Sequence, residues 1–315
     1  MRVQLFGVGT KSDEPAVTAQ SRINLLVEKH DDVDRTEFSL HSRPGRNLFT
    51  GAIGALPSRG MWAVNTLSTP LLFTVHGGTL YSVNNAGTVS SIGTIGTVTG
   101  DVSMVDNGTN LVLVDGSNGY YYNMTTPAGV NLIVDGNFTT SPKTVTWQDT
   151  YFIVTSGMTN QFQLSNGSDP AVWPAVNINF TGSAPGALRA GLADHSILEL
   201  FGDVYAEFWQ DTGSPDFPYA VIPGSAQEFG LAAFASLAKY DNSIAGLFQN
   251  RMGGVNISRM AGFRLQKISS QDIDDIISEY TGVSDATGFA YTTGHHSMYQ
   301  INFPTEGKSW TYDGV

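Results

Sequence analysis

One pattern constrains this chain more than any other: from Leu71 onward a β-hairpin recurs six times. Each copy has an apolar strand, a polar or glycine turn, and a second strand with aromatic or alternating residues. The copies read LLFTVHGGTLYSV from Leu71, LVLVDGSNGYYYN from Leu111 and YFIVTSGMTNQFQLS from Tyr151. They continue as ILELFGDVYAEFWQD from Ile197, IAGLFQNRMGGVNIS from Ile244 and MYQINFPTEGKSWTYD from Met298. Their starts lie 40, 40, 46, 47 and 54 residues apart. A propeller blade of four antiparallel strands takes about 40–50 residues. In the first copy the turn is His76-Gly77-Gly78-Thr79, and Gly-Gly tolerates the positive φ of a tight hairpin. Leu71 to Val75 is nearly all apolar, as in a strand covered on both faces. The reading is an all-β chain: a six-bladed β-propeller over residues 61–315, an extended N-terminal arm over 1–60, and one short helix near residues 270–280. A pair of β-sandwiches is the alternative that the same hairpins allow.

Composition agrees with many short strands. Charged residues are only 14% and glycines number 35, while 41% hydrophobic residues rule out a disordered chain. There is no cysteine, which excludes disulfides and thiolate metal sites. The opening MRVQLFGVGTKSDEPA has no apolar core, so no signal peptide is expected. The Asn-x-Ser/Thr triplets at Asn107, Asn123, Asn137, Asn166, Asn179 and Asn256 then read as accidents of composition. The longest near-apolar run, Gly230 to Ala238, is too short to span a bilayer.

The formal charge of −12 is unevenly spread. Residues 60–315 hold eight Lys/Arg against twenty-one Asp/Glu, and no Lys or Arg lies between Met61 and Pro142. Such a surface cannot neutralise phosphates over a long contact, which argues against tight DNA binding. It suits a soluble particle component, or a wall that DNA slides past.

Residues 1–60 do not follow the repeat. Ser21 to Val27 and Thr36 to His41 read as strands joined by the charged turn Glu28 to Arg35, and Pro44-Gly45 ends the second. This arm is expected to pack on, or close, the ring. A helix is predicted over Ser269 to Tyr280, with Ile273, Ile276, Ile277 and Tyr280 on one face. Ser269 is its predicted N-cap, with Asp272 in capping-box position and Ile268 and Ile273 as a staple. Asp272, Asp274 and Asp275 complement the positive helix start better than they fit a metal site.

Motifs for chemistry are incomplete. Gly307-Lys308-Ser309 lacks the glycine a phosphate loop needs five residues before its Gly-Lys pair, since position 302 is Asn302. Gly7-Val8-Gly9 lacks the third glycine of a dinucleotide turn. The histidines His30, His41, His76, His195, His295 and His296 show no helical metal spacing. Ser165 to Trp173 approaches the Asp-box of sialidase-like propellers, without its glycine. No catalytic, cofactor-binding or metal-ligating residue is assigned. Because acid pairs in a propeller come from distant blades, the sequence leaves a glycosidase site open.

Four segments together carry a resemblance: Gly167-Ser168-Asp169-Pro170-Ala171-Val172-Trp173; Leu198-Glu199-Leu200-Phe201-Gly202 with Ala206-Glu207-Phe208-Trp209; Asp211-Thr212-Gly213 with Asp216-Phe217-Pro218-Tyr219; and Gly307-Lys308-Ser309-Trp310-Thr311-Tyr312-Asp313. The stretch Arg264 to Ser269, running into the acidic helix, fits as well. So do Ile23-Asn24-Leu25-Leu26-Val27 and Ser42-Arg43-Pro44-Gly45. In order and spacing the chain resembles the packaged-DNA stabilisation, or tail hub and nozzle, proteins of short-tailed bacteriophages.

That resemblance implies a non-enzymatic structural protein of the virion tail, present in the host cytoplasm during assembly. It implies a ring with other copies of itself, expected to be a hexamer, below the portal and connector proteins. Needle, fibre or spike proteins would attach to it. Genomic DNA would pass without sequence-specific binding, and no membrane anchor or cofactor is implied. Family members are commonly longer, so the end at Val315 suggests a fragment or processed form. Two other functions stay open: a carbohydrate-binding or glycan-cleaving propeller, using aromatics such as Trp62, Tyr120 and Trp173, and a general scaffold propeller of the host cell.

Overall fold

The computed structural model describes residues 25–29, 38–42, 45, 47–294 and 296–314. It is a six-bladed β-propeller with one short helix. Two strands precede the blades, β1 (Leu25–Lys29) and β2 (Phe38–Ser42), paired with each other as an antiparallel ladder. They run past Val27 and His41, the ends read from sequence. Ser21 to Asn24, Thr36 and Glu37 fall outside the described residues, as do Pro44, His30, His295 and the Gly7–Gly9 stretch.

Blade 1 is β3 (Ser58–Val64), β4 (Leu71–His76), β5 (Thr79–Asn84) and β6 (Val89–Thr94). Blade 2 is β7 (Ser103–Asp106), β8 (Asn110–Val114), β9 (Gly119–Asn123) and β10 (Asn131–Leu132). Blade 3 is β11 (Pro142–Gln148), β12 (Tyr151–Ser156), β13 (Gln161–Leu164) and β14 (Ile178–Phe180). Blade 4 is β15 (Leu188–Asp194), β16 (Ile197–Gly202), β17 (Ala206–Asp211) and β18 (Tyr219–Val221). Blade 5 is β19 (Phe229–Tyr240), β20 (Ser243–Asn250), β21 (Val255–Ala261) and β22 (Arg264–Lys267). After α1 (Gln271–Ser278), blade 6 holds three strands: β23 (Thr287–Thr293), β24 (His296–Phe303) and β25 (Lys308–Asp313).

The six hairpins read from sequence are the second and third strands of the six blades. Their second strands are dry because neighbouring blades cover both faces. Leu111, Val112, Leu113 and Val114 in β8 are fully buried in alternating directions. Leu111 and Leu113 join Phe73 and Leu80 of blade 1. Val112 and Val114 join Phe152, Val154 and Trp173 of blade 3. Equivalent clusters lie between blades 3 and 4 around Phe162, Leu198 and Trp209, and between blades 4 and 5 around Phe201, Phe208 and Phe248. Another joins blades 5 and 6 around Leu247, Tyr299 and Phe303. Each large apolar side chain buried this way contributes about 1.5–3 kcal/mol.

Inner strands approach closely where side chains are small. A Cβ on Gly288 of β23 would stand 2.1 Å from the Ser236 carbonyl oxygen of β19, so only glycine fits. The β11–β12, β15–β16 and β19–β20 turns use Asp149-Thr150, His195-Ser196 and Asp241-Asn242, all at positive φ. These are glycine-free two-residue hairpins of the primed kind.

The helix runs Gln271–Ser278, shorter than predicted, and its N-cap is Ser270 rather than Ser269. Ser270 makes no side-chain cap bond. Ser269 is instead tied to β21: the Ile257 N–H donates to its Oγ at 3.2 Å, and its hydroxyl donates to Asp274. That competing bond holds Ser269 in the strand-to-helix link. Ile277 is buried, and Ile273 and Tyr280 pack against the same cluster. Ile276 departs from the predicted face and is 38% exposed.

Candidate functional surface: the propeller axis and the seam

Three inner strands begin with a β-bulge, at Ser58/Gly60, Pro142/Thr144 and Leu188/Ala190. The extra residue in each is a cation: Arg59, Lys143 and Arg189. A bulge re-aims its side chain away from the regular alternation, which places basic residues at one end of the inner strands. Each then meets a different partner. Arg59 is 8% exposed. It donates to the carbonyls of Gly77 at 2.7 Å, Thr97 at 2.8 Å, Thr99 at 2.6 Å and Gly100 at 2.5 Å, clamping the link from blade 1 to blade 2. Burial lowers its pKa from the ordinary value, with Asp115 and Asp101 opposing. Arg189 pairs with Asp203 on the surface. Lys143 reaches across the axis from blade 3 to blade 5, its Nζ 3.8 Å from the centre of the Phe234 ring. Burial lowers the Lys143 pKa, Asp101 raises it and Arg189 lowers it.

Inner strands of non-adjacent blades can meet only across the central axis. The Lys143–Phe234 contact therefore ties the inner strands of two blades that are not neighbours.

The remaining cations do little to offset the acidic body. Beyond residue 60, Arg189, Lys239, Arg251, Arg259 and Lys267 each sit against a carboxylate. The surplus Asp and Glu leave a negative surface.

The boundary between blade 6 and blade 1 differs from the other five. Among the described residues no apolar cluster spans it. Gly60 faces blade 2, where a Cβ would meet Val102, and Gly288 faces blade 5. Alternation turns Met61 and Phe289 the other way, toward this seam, and they are 63% and 43% exposed. Blade 6 also lacks a fourth strand among the described residues, leaving β25 as its outer edge.

The residues considered for chemistry have structural surroundings. Trp173 is fully buried and donates its indole N–H to the Pro170 carbonyl at 2.9 Å. Tyr120 is 5% exposed, its hydroxyl accepting from the Gly96 N–H, and Trp62 donates to Asp106 at 2.7 Å. None of these three is an open stacking platform for a sugar. In the Ser165–Trp173 segment, Asp169 accepts from the Ala171 N–H and forms a turn. Gly307 holds φ +62 in the β24–β25 turn. His296 bonds Asp313 at 2.7 Å, His76 bonds the Leu56 carbonyl oxygen at 2.9 Å, and His195 bonds Asp194 and Asn242. In α1, Asp274 pairs with Lys267 and Asp275 accepts from Gln271. Among the described residues no group of three or more His, Asp or Glu is placed to hold a metal. The bulge cations went unread in sequence, because a strand-start Lys or Arg carries no signal until pairing reveals the extra residue.

A family model described as "Bacteriophage P22 Gp10, beta-propeller" matches residues 1–315. The chain belongs to this phage-stabilisation family. It is thus a structural protein of a phage particle, from a family that stabilises packaged DNA. No curated protein matches this chain. Solved structures that match include a nidogen/laminin complex, at 11% identity and a TM-score of 0.47, covering 78% of this chain and 93% of that one. Another is the extracellular domain of the putative one-component system BT4673 from B. thetaiotaomicron, at 12% identity and a TM-score of 0.44. That match covers 81% of this chain and 38% of that one.

Proposed function

We propose that this phage-stabilisation propeller is a tail hub, or nozzle, subunit: several copies form a ring that lines the DNA exit path and helps retain the packaged genome. The observation that carries the reading beyond the family is the acidic surplus of residues 60–315. The acidic surplus supports a lining role, since a negative wall repels phosphates and keeps DNA from sticking in transit. A hexamer below the portal and connector, with needle or fibre proteins attached, is the assembly this reading expects. Within each copy, the N-terminal segment ahead of β3 serves as an arm that packs on, or closes, the ring.

Imaging the assembled particle at subunit resolution tests the proposal. A ring of this propeller around the DNA path supports it, and any other location overturns it. Exchanging ring-lining Asp and Glu for Lys should then slow DNA ejection; unchanged ejection kinetics would count against the acidic-wall role.

A further inference from the structure

A cavity of about 460 Å³ opens between blades 4 and 5, beside the tight turns His195-Ser196 and Asp241-Asn242. Its wall combines acidic groups with an apolar surface from Ile197, Met260 and Phe263. Glu199 of β16 lines it and is 6% exposed. Its Oε2 is out of solvent and has no hydrogen-bond partner. The other polar groups of the wall are engaged. Asp194 holds His195 Nδ1 at 2.8 Å and lies 3.8 Å from Lys239 Nζ. Asn242 holds His195 Nε2 at 2.8 Å, and Asp241 holds Arg259 at 3.3 Å. Glu199 is thus the group for which the folded chain supplies no donor, and a buried acceptor left alone is costly.

We propose that this cavity binds a primary alkylammonium group, its N–H donors on Glu199 and its carbon stem along Ile197, Met260 and Phe263. An anion would meet Glu199, Asp194 and Asp241 together. A purely apolar ligand would leave Glu199 unpartnered. An ammonium on a short carbon chain satisfies both kinds of wall, through a charge-assisted bond and apolar burial. Two sources share this chemistry: a free diamine, and the lysine side chain of a neighbouring subunit.

A proton is coupled to the event. Burial and the nearby Asp194 push the Glu199 carboxyl up to about 8, with Lys239 opposing. The groups facing it are Asp194 at the end of β15, His195 in the turn after it, Lys239 of β19, Asp241 in the next turn and Arg259 of β21. An ammonium pairs best with carboxylate, so binding at neutral pH releases the Glu199 proton. Affinity should therefore climb with pH until the carboxyl is ionised.

The test titrates the full chain with 1,4-diaminobutane and, separately, with Nα-acetyl-lysine methylamide, followed by NMR chemical shifts at pH 6.5 and 8.5. Both probes should bind on the order of tenfold more tightly at the higher pH, and Glu199→Gln should lose at least about tenfold at pH 8.5. Preference for the diamine identifies a free cation; preference for the lysine derivative identifies a side chain from another subunit. No binding, pH-independent binding, or equal binding by the Gln variant overturns the proposal. Should the variant fail to fold, the pH dependence of the unaltered chain still decides.

Discussion

At the scale of single residues, two buried ionisable groups set the chemistry of this propeller. Arg59 is held by several carbonyls converging from the blade 1–blade 2 link, and its planar fork matches their directions. Arg59→Lys keeps the charge but cannot reach the same set. It should lower stability by about 2–4 kcal/mol in urea unfolding, because buried carbonyls lose their donors. Glu199 acts in the opposite direction. Its folded carboxyl is raised from 4.5 to about 8 by burial and Asp194. The folded state therefore binds the proton more tightly than the unfolded chain. The stability tied to it is full below about pH 4.5 and is lost as pH rises through 8. Glu199→Gln should match the unaltered chain near pH 4 and exceed it by a few kcal/mol near pH 9. Denaturation curves at the two pH values check this.

At the scale of elements, the sequence was most legible where strands are dry on both faces. The second and third strands of each blade announce themselves by apolar runs, a turn and an aromatic partner strand. The flanking strands do not. Outer strands such as β10 and β18 are two and three residues long and largely exposed. Inner strands mix in polar residues whose side chains bridge blades, as when Thr144 and Thr146 accept from the Gly191 and Ala193 N–H groups. Their alternation is therefore broken, and their bulges conceal Arg59, Lys143 and Arg189. The helix shows the same limit. Its apolar spacing was visible, but its start depended on whether Ser269 capped the helix or bonded β21. Because Ser269 holds β21 and Ser270 caps without a side-chain bond, Ser269→Ala should cost about 1 kcal/mol. Ser270→Ala should cost under about 0.5 kcal/mol. Comparing the thermal midpoints of the two variants distinguishes them.

At the scale of the whole molecule, five blade boundaries have apolar clusters and the sixth leaves Met61 and Phe289 exposed. An arm that covers this seam would stabilise blade 6 and blade 1 ahead of the others. Deleting residues 1–46 should then speed amide exchange in β3 and β23–β25, leave β8 and β12 protected, and lower the thermal midpoint. Unchanged exchange in β23–β25 would assign the seam to a contact between subunits instead. The function follows a similar division. Membership of the phage-stabilisation family could be read from collinear turn and aromatic motifs between Gly167 and Asp313, which belong to local hairpin structure.

The recurring hairpin determined the all-β class, the blade count and the dry second strands, because turn chemistry and apolar runs act over a few neighbouring residues. Tertiary structure alone decided that Lys143 of blade 3 meets Phe234 of blade 5, that Glu199 faces a cavity without a partner, and that one blade boundary has no apolar cluster among the described residues. Those features arise between residues far apart in the chain, where closing the ring, rather than local preference, sets who meets whom.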